Sequence, residues 1–423
     1  MTHFGLICPA STGHLNTMLP LGKELQNRGH RVTLIGVLDA KCKTVAAGLE
    51  FQAIGESEFP SGAMAQGLTE LGKLNGLAAT KYTVNLLKQA AIVILRDLPK
   101  VIKEIGVEAL LVDQVSPGGA VVAESLGMPF ITVCSAIVLN YEPGVPPHFT
   151  NWRYNPAWWA LLRNHVGYKL LKSVSKPIGE VIAEYRQNHN LPIPSRSNDA
   201  FSPLAQISQQ PAEFEFPRQN LPEWFHFTGP YHDAVGRQSI DFPFEKINEK
   251  PLVYASLGSI LGHNQQIFQY IAQACKGLNI QLVISLGGAL EPEALPNLPE
   301  SPLVVKYAPQ LELLKKSSLT ITHAGLNTTL ESLSNGVPIV AIPIANDGPG
   351  VAARIAWTRT GEVVPLQKLS VPRLRSAIER VLTQDSYKQN ALRLQEAIRK
   401  AGGVTRAADI IEKAVFTRKP VLA

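Results

Sequence analysis

Short runs of apolar and β-branched residues alternate with helical patterns in two separate parts of this 423-residue chain. This alternation is typical of βαβ units, in which parallel strands form a sheet and the helices cover it. The predicted strands are His3–Cys8, Arg31–Val37, Ala109–Val112 and Phe130–Val133 in the first part, and Pro251–Ser256, Ile280–Ser285, Leu303–Lys306, Leu319–Thr322 and Pro338–Pro343 in the second. The pattern predicts an α/β protein with two Rossmann-like domains.

The length agrees with two domains, because a single domain commonly holds ~100–200 residues. We place the first domain at residues 1–225 and the second at residues 251–399. The stretch from Pro217 to Lys250 is rich in proline and aromatic residues without a clear period, and the predicted interdomain linker, residues 226–250, lies in it. The last segment, about residues 400–423, has a helical pattern and could pack back on the first domain.

Composition and charge argue against several classes of protein. The net charge is +6, but the basic residues form no block, and nucleic acid is therefore not an expected partner. The four cysteines are isolated, so neither CxxC metal spacing nor a disulfide framework is available. No apolar run approaches the ~20 residues of a membrane-spanning helix, and the N-terminal run does not resemble a signal peptide. We expect a soluble, cytoplasmic protein.

The most informative segment runs from the end of one predicted strand into a helix. It contains Tyr307-Ala-Pro-Gln310, then His323-Ala-Gly325-Leu-Asn327-Thr328-Thr-Leu-Glu331, and later Asp347-Gly348. A strand, a tight turn and a helix N-terminus bring backbone N–H groups, the positive end of the helix and the His323 side chain together, as in a pyrophosphate site. Gly325 allows close approach of the backbone, Asn327 and Thr328 add donors, and Glu331 can reach towards a ribose hydroxyl.

This segment resembles the donor-binding signature of UDP-sugar glycosyltransferases of the two-domain GT-B type. The resemblance implies that Tyr307 stacks on uracil and that the Ala308 backbone and Gln310 contact the base and the ribose. It further implies that Glu331 holds the ribose, that His323, Asn327 and Thr328 hold the diphosphate, and that Asp347 holds sugar hydroxyls. Two plainer roles remain open, Tyr307 as the cap of a strand and Glu331 as a solvated helix residue.

The sequence departs from the family pattern after the aspartate that matches Asp347. Relatives usually have glutamine at the next position, whereas this chain has Gly348. The sugar therefore loses a hydrogen-bonding partner, which leaves its identity open more than that of the nucleotide. UDP-glucose is the default donor.

The turn Ser256-Leu-Gly258-Ser259 follows the first predicted strand of the second domain. Its backbone amides and the Ser259 hydroxyl could approach a phosphate, although a purely structural turn is an equal alternative. No Asp-x-Asp pair occurs in the chain, which argues against carboxylates holding a metal ion on the diphosphate. We expect no metal and no cofactor, with the UDP-sugar as co-substrate, and the resemblance implies inversion at the anomeric carbon.

A second pair of candidate residues lies in the first domain. His14 follows the first predicted strand, and Asp113 ends another strand in a run too apolar to leave a carboxylate without a partner. An imidazole titrates near neutral pH, and a carboxylate can fix its tautomer. The family resemblance assigns the same roles, with His14 as general base and Asp113 as its partner. The alternative for Asp113 is a cap on the turn at Ser116–Gly119.

The sequence says less about the acceptor than about the donor. Aromatic residues cluster between His148 and Tyr168, and they could line an acceptor groove or lid or simply pack an irregular segment: Phe149, Trp152, Tyr154, Trp158, Trp159 and Tyr168. The sequences that begin at Asp113 and Asn140 are similar to those of bacterial zeaxanthin glucosyltransferases and related macrolide-type enzymes.

The resemblance therefore implies transfer of a hexose to a hydroxyl of an apolar small molecule, such as a carotenoid, a phenol or flavonoid, or a polyketide. Two alternatives remain, a UDP-sugar epimerase of the same fold and a non-catalytic protein that binds a nucleotide sugar. A transient contact with a membrane surface also stays open.

Overall fold

Two parallel sheets organise the chain in a computed structural model that describes residues 1–74, 76–232, 235, 237, 240–258 and 264–423. The predicted donor-site residue Ser259 lies outside these described residues. The remaining candidate residues lie within them.

The first sheet contains the strands β1 His3–Ile7, β2 Arg31–Gly36, β3 Glu50–Ala53, β4 Ala109–Asp113, β5 Phe130–Cys134, β6 Gln206–Ser208 and β7 Phe225–Phe227. Within the described residues its order is β3-β2-β1-β4-β5-β6-β7, and all pairs are parallel. Starting from β1, the chain adds β2 and β3 on one side of the sheet and then β4 to β7 on the other, so the strand order reverses between β1 and β4. Open α/β sheets bind ligands at such a reversal, beyond the carboxyl ends of the strands.

Helices cover both faces of this sheet: α1 Thr12–Asn27, α2 Lys41–Ala46, α3 Ala63–Lys73, α4 Gly76–Ile105, α5 Pro117–Ser125 and α6 Trp158–Asn188. Successive strand residues point to opposite faces. Leu111 packs with Met18 of α1, whereas its neighbour Leu110 packs on the other side with Leu98 of α4. The completely buried runs of β1 and β4 follow from this double cover.

The second sheet repeats the design with the strands β8 Leu252–Ser256, β9 Gln281–Ser285, β10 Leu303–Val305, β11 Ser317–Thr322, β12 Ile339–Ala341 and β13 Gly361–Val363. Its order in the described chain is β10-β9-β8-β11-β12-β13, again all parallel, with the reversal between β8 and β11. The helices are α7 Gln265–Cys275, α8 Gln310–Leu314, α9 Leu326–Ser334, α10 Gly348–Thr358, α11 Val371–Thr383, α12 Asp385–Ala401 and α13 Gly403–Thr417.

The predicted α/β class with two parallel sheets is confirmed, and all the strands predicted from sequence are present at nearly the same bounds. The strands β3, β6, β7 and β13 were not predicted. The strand β7 extends the first sheet two residues past the predicted boundary at residue 225. Among the described residues, no helix combines the length and the apolar character needed to cross a membrane.

The chain crosses between the sheets at two adjacent points. The Gly403 N–H donates to the Thr228 carbonyl at 2.7 Å. A Cβ on Gly229, whose φ is +79°, would lie 2.9 Å from the Cβ of Ala401. Gly229 and Gly403 both have positive φ angles, and the lack of a side chain on Gly229 leaves room for Ala401, so the two crossing segments can lie side by side.

The helix α13 returns to the first sheet after the second crossing and packs against α1. Arg28, at the end of α1, donates to Asp409 at 2.6 Å and to Glu412 at 2.7 Å. The contact places the C-terminal segment on the first half of the molecule.

A buried ion pair joins α10 to the segment that follows β6. Arg354 donates to Glu215 through Nε at 2.9 Å, and its guanidinium lies 4.5 Å from the centre of the Phe216 ring. Burial alone would raise the pKa of Glu215, but the charges of Arg354 and Arg218 hold that pKa below its usual value. The Glu215 carboxylate is therefore ionised in the interior of the protein. Without Arg354 and Arg218 it would be a buried charge with no counter-charge.

We predict that Arg354→Met lowers the free energy of unfolding by about 3–5 kcal/mol, because it leaves the buried Glu215 carboxylate without its main counter-charge. Urea denaturation followed by circular dichroism measures the change. Arg399→Met is the control, since Arg399 pairs with Glu396 on the surface and its loss should leave the urea midpoint unchanged. Equal midpoints for both variants and the parent would contradict the prediction.

Candidate active site

The carboxyl edges of the two sheets face each other at their reversal points. His14 lies in the first turn of α1, directly after β1, and Asp113 is the last residue of β4. From the other sheet, Gly258 follows β8 and His323 follows β11. Both reversal points therefore contribute candidate residues to one cleft.

His14 and Asp113 form a direct hydrogen bond. His14 Nδ1 lies 2.6 Å from Asp113 Oδ2, and the other carboxylate oxygen accepts the Val115 N–H at 3.0 Å. Asp113 is completely buried, whereas the His14 side chain is 22% exposed. Because an ionised carboxylate only accepts, Nδ1 of the neutral ring carries the hydrogen and Nε2 is the basic nitrogen.

The surroundings of His14 favour its protonated form. Burial lowers the pKa of His14, but the charge and hydrogen bond of Asp113, with a contribution from Asp347, outweigh burial and raise the pKa above 6.5. The ring can therefore accept a proton near neutral pH, and Asp113 stabilises the imidazolium that results.

The His323 ring is held between two glycines. A Cβ on Gly258 would lie 2.7 Å from His323 Cε1, and a Cβ on Gly325 would lie 2.6 Å from Nε2. Gly258 also has a φ of +72°, which other residues rarely adopt. Burial lowers the pKa of His323 to about 4, despite the opposing charge of Asp347. His323 is thus a neutral hydrogen-bonding group at physiological pH.

His323 precedes the N-terminus of α9, which begins at Leu326 after the N-cap Gly325. No side chain among the described residues caps this turn by a hydrogen bond. Its N–H groups and the helix dipole are therefore available to an anion, as expected for a diphosphate site.

Asn327 connects the two halves across the cleft. Its Nδ2 donates to the Gly13 carbonyl at 2.8 Å, and its Oδ1 accepts the Gln209 amide at 2.8 Å. Both polar atoms of the Asn327 side chain are therefore bonded to residues of the first half of the molecule in this structure. Its predicted contact with the diphosphate stays a prediction, and it would require an exchange of these partners.

Gln310 and Glu331 lie together, as a shared ribose site requires. Gln310 Nε2 lies 2.5 Å from Glu331 Oε2 and 3.3 Å from Thr328 Oγ1. Arg237 from the linker donates to the other Glu331 oxygen at 2.5 Å. Burial raises the pKa of Glu331, but Arg237 and His232 lower it below its usual value. The alternative of a solvated helix residue is wrong for Glu331, because its side chain is buried.

Tyr307 offers an accessible aromatic ring beside these residues in sequence. It is 50% exposed, and a Cβ on Gly288 would collide with its hydroxyl. Ala308 packs against the cluster that contains Leu313. Tyr307 can therefore present a ring face to a base, although its stacking on uracil stays a prediction.

Asp347 lies where the two halves meet. Its carboxylate accepts the Ile137 N–H at 3.4 Å and raises the pKa of both His14 and His323 against the effect of burial. The next residue, Gly348, is the first of α10, and a Cβ there would lie 3.0 Å from the His323 carbonyl oxygen. Any side chain at position 348 therefore presses on the His323 backbone.

Packing accounts for part of the aromatic segment. Trp152 contacts Gly167 and lies 4.7 Å from the guanidinium of Arg163. Tyr154 stacks on Phe216 at 5.7 Å. Trp158 and Trp159, in contrast, lie on the surface.

The structure adds site neighbours that the sequence did not single out. Gln209 follows the short strand β6, Arg237 lies in the linker, and His148 has its carbonyl against Gly350 of α10. The only signal for Gln209 was a polar run after three strand residues. Arg237 lies in an irregular segment without a pattern, and His148 was noted only as the first residue of the aromatic segment.

Comparison with known proteins agrees with this geometry. Residues 198–416 match the family model of UDP-glucoronosyl and UDP-glucosyl transferase. The zeaxanthin glucosyltransferase of Pantoea ananas is 34% identical over 100% of this chain and 98% of its own length. That of Pseudescherichia vulneris is 31% identical over 98% of each chain.

The chain belongs to the UDP-glucoronosyl and UDP-glucosyl transferase family. It is a UDP-glycosyltransferase, which confirms the resemblance drawn from Tyr307 to Gly348.

Solved structures show the same fold for this glycosyltransferase. The calicheamicin glycosyltransferase CalG4 superposes with a TM-score of 0.76 over 99% of this chain and 100% of its own, at 21% identity. The glycotransferase of kitacinnamycin gives 0.77 over 97% and 98%, at 22% identity. The predicted GT-B fold is confirmed.

We predict that His323→Ala weakens UDP binding by ~10–100-fold, because a hydrogen bond to a charged group contributes ~1.5–3 kcal/mol. Isothermal titration calorimetry with UDP measures the affinity, and circular dichroism checks that the fold is kept. The control is His189→Ala, which removes an exposed histidine beyond the end of α6. Unchanged UDP affinity in His323→Ala would remove His323 from the donor site.

Proposed function

We propose that this glycosyltransferase transfers a hexose, glucose by default, from a UDP-sugar to a hydroxyl of an apolar small molecule, with inversion at the anomeric carbon. The observation that carries the proposal is the His14–Asp113 hydrogen bond on one side of the cleft, with Asp347 and His323 facing it from the other sheet. The proposed base, His14, and the candidate sugar-binding carboxylate, Asp347, thus lie in the same part of the cleft.

The chemical step uses the basic nitrogen of His14. The acceptor oxygen forms a bond to the anomeric carbon as His14 Nε2 takes its proton, and the bond from that carbon to the UDP oxygen breaks with its electron pair leaving on UDP. Asp113 balances the charge of the imidazolium. The proton then passes to solvent, which regenerates the base.

The leaving diphosphate meets neutral donors in this proposal. His323, with its pKa lowered to about 4, offers a hydrogen bond without a charge, and the N-terminus of α9 adds backbone N–H groups and its dipole. We propose that these groups replace a metal ion and that the enzyme needs neither a metal nor a cofactor.

The named relatives support the choice of sugar and acceptor class. The two bacterial relatives are called zeaxanthin glucosyltransferases, and zeaxanthin is a long apolar alcohol. Incubation with UDP-glucose and a panel of carotenoid, phenolic and macrolide alcohols, read by mass spectrometry, tests the proposal. A product heavier than the acceptor by one hexosyl residue (hexose less water) supports it, whereas no glycoside with any member of the panel would overturn it.

We predict that Gly348→Gln changes the ratio of transfer rates from UDP-glucose and UDP-galactose by ~2–10-fold, the usual effect of one neutral hydrogen bond, and changes UDP affinity little. The matched control is Gly348→Ala, because both variants carry the Cβ that lies 3.0 Å from the His323 carbonyl oxygen. Steady-state rates with both donors measure the effect. Identical donor ratios in the two variants and the parent would show that position 348 does not face the sugar.

We predict that His14→Ala lowers kcat for an alkyl alcohol acceptor by ~10²–10⁴-fold and leaves UDP affinity unchanged, because only the proton acceptor is lost. Acidic phenols should retain more activity, since they ionise more readily. Asp113→Asn should also slow the reaction, and the double variant should lose less than the two single losses combined, because the residues act as a unit. Near-normal turnover of the alkyl alcohol by His14→Ala would disprove the assignment.

The pH dependence provides a second measurement on the same pair. His14 must be neutral to act as a base, and its pKa is raised above 6.5, so kcat/KM should fall as the pH drops through that raised value. Asp113→Asn removes the charge that raises this pKa and should move the acid limb to lower pH. An acid limb at the same pH in both proteins would assign it to another group.

A further inference from the structure

The N-terminal half of α6 presents an unpartnered apolar face. Trp158, Leu162, Val166 and Leu170, spaced four residues apart, form one ridge along the helix, which we call the α6 ridge. Trp158 is 76% exposed, and the exposure of the other three ridge residues lies between 57% and 59%. Trp159 and Leu161 flank the ridge and are also exposed. The described surface thus carries large apolar side chains where a solvated helix face carries polar ones.

The stretch of chain that carries the α6 ridge contains basic but no acidic residues. No aspartate or glutamate occurs between Glu142 and Glu180, whereas this stretch contains Arg153, Arg163, Lys169, Lys172 and Lys176. The three lysines lie on the exposed side of α6, as the ridge does, and Lys176 forms a solvent-exposed ion pair with Glu180 at 3.4 Å. The surface therefore combines tryptophan, aliphatic side chains and cations, the composition of helices that lie in the headgroup region of a bilayer.

The opposite side of the same helix half touches the loop that borders the cleft. A Cβ on Gly167 would lie 2.9 Å from Pro147, and Asn164 donates to the Pro143 carbonyl at 3.0 Å. The next loop residue, His148, has its carbonyl against Gly350 at the start of α10. The α6 ridge is thus separated from the cleft border by one helix and one loop.

We propose that the α6 ridge and its three lysines dock this protein on the surface of an anionic lipid bilayer. The apolar side chains enter the boundary between headgroups and acyl chains, while the lysine stems lie along it and their ammonium groups meet lipid phosphates. A second copy of the chain fits this face less well, because a twofold contact would place each lysine cluster near its own copy.

In the docked orientation the loop at Pro147 and His148 lies behind α6, one helix diameter (~10–12 Å) from the bilayer surface. An acceptor dissolved in the membrane would then have only a short distance to travel to the cleft. This consequence rests on the proposed function, whereas the docking itself does not.

Flotation of the full-length protein with lipid vesicles tests the proposal. One vesicle preparation contains equal amounts of phosphatidylglycerol and phosphatidylcholine, and the other contains phosphatidylcholine alone. The protein should float with the anionic vesicles and partition at least ~10-fold less to the neutral ones, since each lysine near an anionic surface favours binding by several-fold.

Two variants separate the apolar and the charged contributions. The first is Leu162→Ser with Val166→Ser and Leu170→Ser, and the second is Lys169→Glu with Lys172→Glu and Lys176→Glu. Each should lower partitioning to anionic vesicles by ~10-fold or more. The controls make comparable changes on other exposed surfaces, Val45→Ser with Leu422→Ser and Lys250→Glu with Lys315→Glu and Lys316→Glu.

The variants should keep the parent's circular dichroism spectrum and its turnover of a water-soluble phenol with UDP-glucose. Parent-like flotation by both variants, or no flotation of the parent, would overturn the proposal. A concentration-dependent dimer that the serine variant abolishes, without vesicle binding by the parent, would assign the face to a second copy instead. Absence of glycoside alongside normal flotation would reject the proposed function and leave the docking intact.

Discussion

In an open parallel sheet, helices that leave neighbouring strands towards opposite sides open a crevice at the carboxyl edge. Both sheets of this protein have one such reversal, between β1 and β4 and between β8 and β11. His14 and Asp113 lie at the first, and His323 lies at the second. Because the two edges face each other, residues far apart in sequence share one cleft. The arrangement of the candidate active site therefore depends first on the strand order of the two sheets.

Burial acts on the two cleft histidines with opposite results. Both are shielded from water, which lowers an imidazole pKa, but only His14 has a direct carboxylate partner, Asp113. The pKa of His14 is raised and that of His323 falls to about 4. Environment thus raises the proton affinity of one ring and keeps the other neutral at physiological pH, a contrast typical of sites that need two functions from one residue type. Gly258 and Gly325 maintain this difference, since only glycine leaves room for the His323 ring.

Much of the fold could be predicted from the sequence, because strands buried on both faces appear as continuous apolar runs such as Leu110 to Val112. The missed strands β6 and β7 have three residues each, too few for a period to be recognised. The residues of the signature, Tyr307 to Gly348, could be placed because motif spacing is local. Contacts that depend on how the two halves meet could not be predicted. The hydrogen bond that Asn327 donates to Gly13 and the one that it accepts from Gln209 are of this kind. The ion pair of Arg237 and Glu331 joins a patternless linker to a helix, and no local rule anticipates it.

The chain crossings at Gly229 and Gly403 lie side by side, so a rotation about them would alter few backbone torsions while it changed the width of the cleft. The hydrogen bonds from Asn327 to Gly13 and from Ile137 to Asp347 span that cleft, so any wide opening breaks them. Opening also carries the Asp347 charge away from His14, whose pKa it helps to raise. The proton affinity of His14 therefore depends on the contact between the two halves, and separating them would lower its pKa.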